Sequence, residues 1–297
     1  RGPALDRNAY YRNRLLPWLL LAPQLLLVLV FFYWPTSQAL YWAFTLEQPW
    51  GGGNTWVGLQ NFLAIFRDSG YWATVLRSAL YALVTTGLSM TVALVLASFV
   101  DRSLKGTRFF QSIYVWPYAI AAPAAGVAFR FIFAPESGLV GSLNEVWPGI
   151  WNPAINGGQA LLMVMVCHAW LGIGYNFIFF LSGLQGIPAS IREAAAIDCK
   201  SGTRRFWTVI LPLLTPTAFF LLVINMTYSL FDTFGVIDVI VKDKAANNPI
   251  TLVYKVYLDG FRGNDLGSSS AQSVILMIVV IALTFVQFRF IERRVHY

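Results

Sequence analysis

Residues 186–212, Gly-Ile-Pro-Ala-Ser-Ile-Arg-Glu-Ala-Ala-Ala-Ile-Asp-Cys-Lys-Ser-Gly-Thr-Arg-Arg-Phe-Trp-Thr-Val-Ile-Leu-Pro, form a polar, basic island between two apolar runs. Each flanking run is long enough to cross a bilayer. An island of this kind suggests docking rather than chemistry. Within it Ser190-Ile191-Arg192-Glu193 has the spacing of a capping box, which predicts a short helix beginning at Ser190 with Glu193 anchoring its start. Pro188 separates that helix from the span before it. Ile191, Ala194 and Ala195 fall at i, i+3 and i+4, a narrow face of mostly small residues that lets another protein's backbone come close. The alternative is a helix lying on the lipid surface, with Lys200, Arg204 and Arg205 snorkelling and Glu193 explained by capping alone.

Outward from the island the chain is built for lipid. Apolar residues make up 57% and charged residues 12%, against about 45–50% and about 25% in soluble domains, and the mean hydropathy is +0.59. Nearly uncharged runs lie near 15–34, 78–100, 112–133, 160–182, 210–231 and 274–291, each bounded by charge, Pro or Gly. They are continuously apolar, not alternating, which predicts an all-α membrane protein of six transmembrane helices and argues against a barrel. The transmembrane domain is expected over 15–297, after a short polar segment 1–14. The run from Leu15 to Trp34 exceeds a signal-peptide core of about 7–15 residues and reads as a retained first helix. The chain opens on Arg1, not Met, so the natural N-terminus is expected to lie upstream.

Six spans place 1–14, 101–111, 183–208 and 289–297 on one side, and these hold 14 of the 21 Lys and Arg. The positive-inside bias therefore puts both termini and the island of this multi-pass protein in the cytoplasm. The net charge of +7 is spread over short loops, not gathered on one face, so topology accounts for it and nucleic acid does not. The outer connections 35–77, 134–159 and 232–273 carry Trp50, Trp56, Tyr71, Trp72, Trp147 and Trp151, read as an interfacial aromatic belt or a rim for an external partner.

No engine is visible. The phosphate-cradling G-x-x-x-x-G-K-[S/T] and the nucleophile elbow G-x-S-x-G are both missing, so an enzyme site is not expected. His168 and His296 stand too far apart to suggest a metal site, and Cys167 and Cys199 imply neither metal nor disulfide. The span interiors contain no Asp or Glu, which counts against an ion-coupled secondary transporter. Translocation-path candidates are the polar residues within or bordering the spans: Tyr175, Asn176, Asn225, Tyr228 and Asp232, with interhelical hydrogen bonding as the simpler alternative. Arg130, near the outer end of the third span, either attracts an anionic phosphate or snorkels to headgroups.

The run Glu193-Ala194-Ala195, then Asp198, Phe206 and Leu211-Pro212, resembles the EAA signature of ABC-importer permeases, in which the short helix inserts into a cleft on the ATPase. The likeness extends to Leu16-Pro17-Trp18 through Ala22-Pro23-Gln24, to Gln111–Phe133, to Asn156–Pro188, to Phe231–Asp238 and to Ser270–Val295. These stretches are similar to permeases of the Ugp type, which serve importers of sn-glycerol 3-phosphate. The resemblance implies a type I importer permease fold with Ser190, Glu193, Ala194, Ala195, Asp198, Gly202 and Pro212 as ATPase-coupling residues. It also implies the bacterial inner membrane as location, a second permease of UgpE type, an ATPase dimer of UgpC type and an external binding protein of UgpB type. No cofactor is expected in this chain; ATP and Mg would be bound by the partner ATPase. Glycerol 3-phosphate or a glycerophosphodiester is the implied cargo, with a trehalose- or maltose-type disaccharide as the alternative. Two positions depart from the signature: Cys199 stands where it has Gly, and Val209 where it has Ile. Cys disfavours the positive φ that Gly permits, so Gly202 is expected to supply that turn and the helix to run slightly longer.

Overall fold

The structure, a computed structural model, describes residues 15–47, 53–101, 107–241 and 251–291. The segment 1–14, Trp50, Lys242, Lys244, Asn247-Asn248-Pro249 and His296 lie outside the described residues. Along the described chain run α1 (Leu15–Ala43), a hairpin of β1 (Thr45–Glu47) and β2 (Asn54–Trp56), α2 (Gln60–Arg67), α3 (Ser69–Val100), α4 (Thr107–Val115) and α5 (Ala122–Ile132). After these come α6 (Leu143–Val146), α7 (Gly157–Gln185), α8 (Ala189–Asp198), α9 (Gly202–Leu213), α10 (Thr215–Phe231), α11 (Phe234–Val241), α12 (Leu252–Tyr257) and α13 (Leu266–Ile291).

Four helices, α1, α3, α7 and α13, are each long and apolar enough to cross a membrane. Two bent helix pairs are apolar enough when each pair is taken together, which gives up to six spans: α4 with its continuation to Ala119 meets α5 at 104°, and α9 meets α10 at 68°. Proline explains both breaks. Pro117 and Pro212 come just before the bends, where a missing N–H and a crowded turn disfavour continuation, and Pro123 and Pro216 sit in the first turn of the helices that follow, where no intrahelical bond is lost. Where α1 approaches Pro35 it loosens into a π turn at Leu29–Tyr33 instead of breaking.

The polar starts of the long helices are capped as their sequences allow. Asp68 accepts from the Gly70 N–H at 2.8 Å at the head of α3, and Asn156 accepts from Gly158 and Gln159 at the head of α7. Helices α3 and α7 pack along their length as the central pair, with α10 against α3 and α11 against α5. One core cluster gathers Tyr81, Phe129, Val164, Cys167, Ile237 and Tyr254. A second gathers Ala93, Ala97, Phe177, Phe180, Leu214 and Leu221. Glycine lets backbones close: a Cβ on Gly174 would stand 3.0 Å from the Tyr114 and Val115 carbonyls.

The aromatic belt is only partly what the sequence suggests. Trp56, Trp72 and Trp147 are exposed, but Tyr71 packs with Ala43, Ile65 and Leu276 in a third cluster, and Trp151 is buried with its indole donating to the Phe133 carbonyl at 2.8 Å. Tyr71 stands in the first turn of α3 and Trp151 in the loop before α7, and in both places the ring finds protein to pack against. The half of α1 from Leu15 to Val28 buries none of its residues, while its end at Ala43 is fully buried near α13.

Candidate coupling helix and polar seam

Helix α8 is the short helix expected in the island, shifted in register. It begins at Ala189 with Pro188 as N-cap, its φ of −54° and ψ of 140° turning the chain out of α7, and no side chain caps it. The expected capping box at Ser190 is therefore corrected. Ser190 already lies inside the first turn, where its hydroxyl is no longer placed to accept from the Glu193 N–H. Glu193 falls beyond the first turn and is exposed. The helix is not lengthened either: it stops at Asp198, and Cys199 is extended at φ −119° and ψ 99°. Gly202 opens α9 without a positive φ, because an extended Cys199 makes the left-handed turn unnecessary.

Around α8 the coupling candidates point mostly outward. Ser190, Glu193, Ala194, Asp198, Gly202 and Pro212 are exposed, and Ala195 is the only buried residue of the helix. Ile197 is 85% exposed at its far end, and Trp207 on α9 is exposed as well. An apolar side chain so open on a polar elbow offers contact to another surface. A cavity of about 300 Å³ runs beneath, lined by Asp101, Leu184, Ile187, Ala195, Phe206 and Ile210 among others.

What ties α8 to the bundle is a residue the sequence did not single out. Arg192 Nη1 donates to Asp101 Oδ2 at 2.8 Å, at the end of α3, and Nη2 donates to the Leu184 carbonyl near the end of α7. Nothing local in the sequence marks this pair. Arg192 is one cation in a basic island, and its partner lies 91 residues away.

Midway along the spans, Asn176 and Asn225 meet. Asn176 Nδ2 donates to Asn225 Oδ1 at 3.0 Å, and Asn225 Nδ2 returns a bond to Asn176 Oδ1 at 2.6 Å, joining α7 to α10. Asn176 is fully buried and also reaches Ser89 Oγ of α3 at 3.2 Å, so one amide links three spans. Beside it Tyr175 packs on Tyr118 and Phe179 with ring centroids 5.6 and 4.8 Å away, within electrostatic reach of Tyr228. Tyr228 and Asp232 are exposed, Asp232 closing α10. Arg130 stands on α5, donating to the Val239 carbonyl at 3.4 Å and lining a cavity of about 200 Å³ with Pro135, Pro153, Met163 and Val241.

A row of buried hydroxyls on α3 continues this seam: Thr74, Ser78, Thr85, Thr86 and Ser89. Thr85 and Thr86 pair with Ser229 of α10 at 3.0 and 3.4 Å, and Ser78 accepts from the Leu252 N–H at 2.8 Å. The signal was present as hydroxyls spaced four and seven residues apart, one face of a helix, inside a run scored as apolar. Most bond back to a carbonyl of the preceding turn, so lipid tolerates them. His168 packs edge-on to Tyr81 in the first core cluster, with Nδ1 and the Tyr81 hydroxyl buried. Among the described residues no three His, Cys, Asp or Glu side chains gather as a metal site.

A helical bundle with one short hairpin, two proline-marked bends and a polar elbow between α7 and α9 is the architecture of a transport permease. The chain belongs to the family of inner membrane components of binding-protein-dependent transport systems, whose model matches residues 13–297. It is 50% identical over 287 residues to the sn-glycerol-3-phosphate transport system permease protein UgpA of Brucella abortus biovar 1 (strain 9-941), covering 97% of this chain and 98% of that protein. It is 48% identical to UgpA of Rhizobium meliloti (strain 1021) over 291 residues, 98% and 99% of the two chains. A bacterial ABC transporter involved in the import of the acidic polysaccharide alginate superposes with a TM-score of 0.71 at 19% identity, covering 95% of this chain and 96% of that one. The fold is that of a type I ABC-importer permease.

Proposed function

We propose that the chain is the first permease subunit of an ATP-driven importer that carries sn-glycerol 3-phosphate or glycerophosphodiesters into the cytoplasm. The observation that carries the mechanism is α8, an almost unburied helix held outside the bundle with Ile197 presented to a partner. The cargo assignment rests on full-length likeness to UgpA proteins. The chain performs no catalysis; a separate ATPase dimer of UgpC type grips α8, with ATP and Mg on that dimer. A second permease of UgpE type completes the path, and an external protein of UgpB type delivers cargo. Both termini and α8 lie in the cytoplasm.

In this account closure of the ATPase dimer moves α8, and the connections at 186–188 and 199–201 pass the movement to α7 and α9. The polar seam supplies the path: Tyr175, Asn176, Asn225, Tyr228 and Asp232 offer donors and acceptors to hydroxyls of the cargo as α7 and α10 part. The amide pair that closes those helices in one state is then free to bind cargo in the other. Arg130 at the outer cavity would attract the phosphate, since a guanidinium matches phosphate oxygens bidentately.

The test is uptake by the four-component complex reconstituted in proteoliposomes, offered radiolabelled sn-glycerol 3-phosphate, glycerophosphocholine, maltose and trehalose. ATP-dependent accumulation of the phosphate compounds alone supports the reading. Accumulation of a disaccharide instead overturns the cargo assignment, and accumulation without ATP overturns the coupling.

A further inference from the structure

We propose that Arg192 and Asp101 form a clamp that makes α8 move as one body with the cytoplasmic ends of α3 and α7. Arg192 is thus a positioning residue, acting through the spans it holds. This rests on the reading of α8 as the ATPase docking helix.

The need for a clamp follows from how little else holds α8. Its N-terminal connection turns at Pro188 and its C-terminal one is extended at Cys199 and Ser201, so neither end is a helical continuation of a span. Ala195 alone is buried, and one methyl group cannot stop a ten-residue helix from swivelling about two non-helical joints. A partner pressing on Ile197 pushes at the end far from Pro188, where the lever arm is longest.

Arg192 lies between those joints and reaches both spans of the central pair. One guanidinium nitrogen meets the Asp101 carboxylate and another meets the Leu184 carbonyl, so the fork fixes orientation as well as distance. The side chains are 32% and 17% exposed, partly shielded from solvent and salt. Asp101 closes α3, the helix whose hydroxyls reach Ser229 of α10 and Asn176 of α7. A push received by α8 is thereby delivered to the element that carries the polar seam.

The experiment uses the full complex in proteoliposomes, reading sn-glycerol 3-phosphate uptake and phosphate release together. For Arg192→Ala and Asp101→Ala the cargo moved per ATP is expected to fall about tenfold, the size of a typical coupling free energy, while hydrolysis persists. The exchange Asp101→Arg with Arg192→Asp is expected to recover much of that ratio, and Arg192→Lys, which keeps charge but not the fork, to lie between. Wild-type ratios in both alanine variants, or an exchange no better than the single variants, overturn the clamp. A second readout needs no cargo: nitroxides at exposed Gln185 and Ile197 should give one narrow distance in the otherwise unaltered complex and a broad distribution with Arg192→Ala. Equal widths overturn the clamp even if the cargo assignment fails, and narrow-to-broad change supports it whatever the cargo is.

Discussion

At the residue scale the Asn176–Asn225 pair carries the heaviest demand, because each amide left alone among apolar spans loses partners that lipid cannot replace. Asn176→Leu or Asn225→Leu alone is expected to cost about 1–3 kcal/mol by stranding the other amide. The double variant should cost less than the sum, with a coupling of about 0.6–1.7 kcal/mol, as membrane double-mutant cycles give. Denaturation of the purified protein in mixed micelles checks this; strict additivity would show that the bonds do not form. Asn176 was legible in the sequence as an amide in a run without charge. Its partner in α3, Ser89, was not, since a hydroxyl can satisfy itself on its own helix and leaves hydropathy unchanged.

Two charged residues are argued at the same scale. Arg130→Ala is expected to raise the KM for the anionic cargo several-fold with kcat little changed, because it removes attraction at the outer cavity and touches nothing in the seam. Unchanged uptake at normal membrane abundance would remove Arg130 from the path. Glu193→Lys is expected to leave ATPase assembly measurable but uncouple hydrolysis from uptake. The basis is not the helix start, from which the structure moves Glu193 away, but a reversed charge on the exposed face proposed to dock. Full transport by the variant would contradict that role.

At the element scale, glycine contacts separate packing from propensity. Gly174→Ala would drive a methyl against two carbonyls and Tyr118 Cβ at 3.0–3.1 Å, so it should cost about 1–3 kcal/mol as overpacking. Gly87→Ala, on an exposed face of α3 with nothing within 4 Å, should be neutral or stabilising by up to about 1 kcal/mol. Thermal midpoints of the two variants in one detergent decide it, and equal shifts would mean that the α7 contact with α4 is not close. The six apolar runs were readable because lipid demands continuous apolar helix. The bends were not, since hydropathy is blind to Pro117 and Pro212, whose effect depends on which lost bonds the neighbours replace. The start of α8 moved for a related reason: Pro188, with its fixed φ, sets the first turn before a Ser side chain can compete.

At the scale of the whole molecule, the described chain is sealed on some sides and open on others. The α3–α7 pair packs into two clusters, whereas Leu15–Val28 of α1 and the exposed face of α8 bury almost nothing. An elbow that buries only Ala195 and is tied to the bundle through Arg192 adds little to the core, which is why the central claim concerns what grips it. Single cysteines placed at Ile191, Ala194 and Ile197, with Cys167 and Cys199 replaced by Ser, would be cross-linked in intact cells and the adducts identified by mass. The account predicts capture of the ATPase subunit, strongest from Ile197, 85% exposed. Adducts with lipid-facing reagents only, and none with an ATPase at any of the three positions, would contradict it.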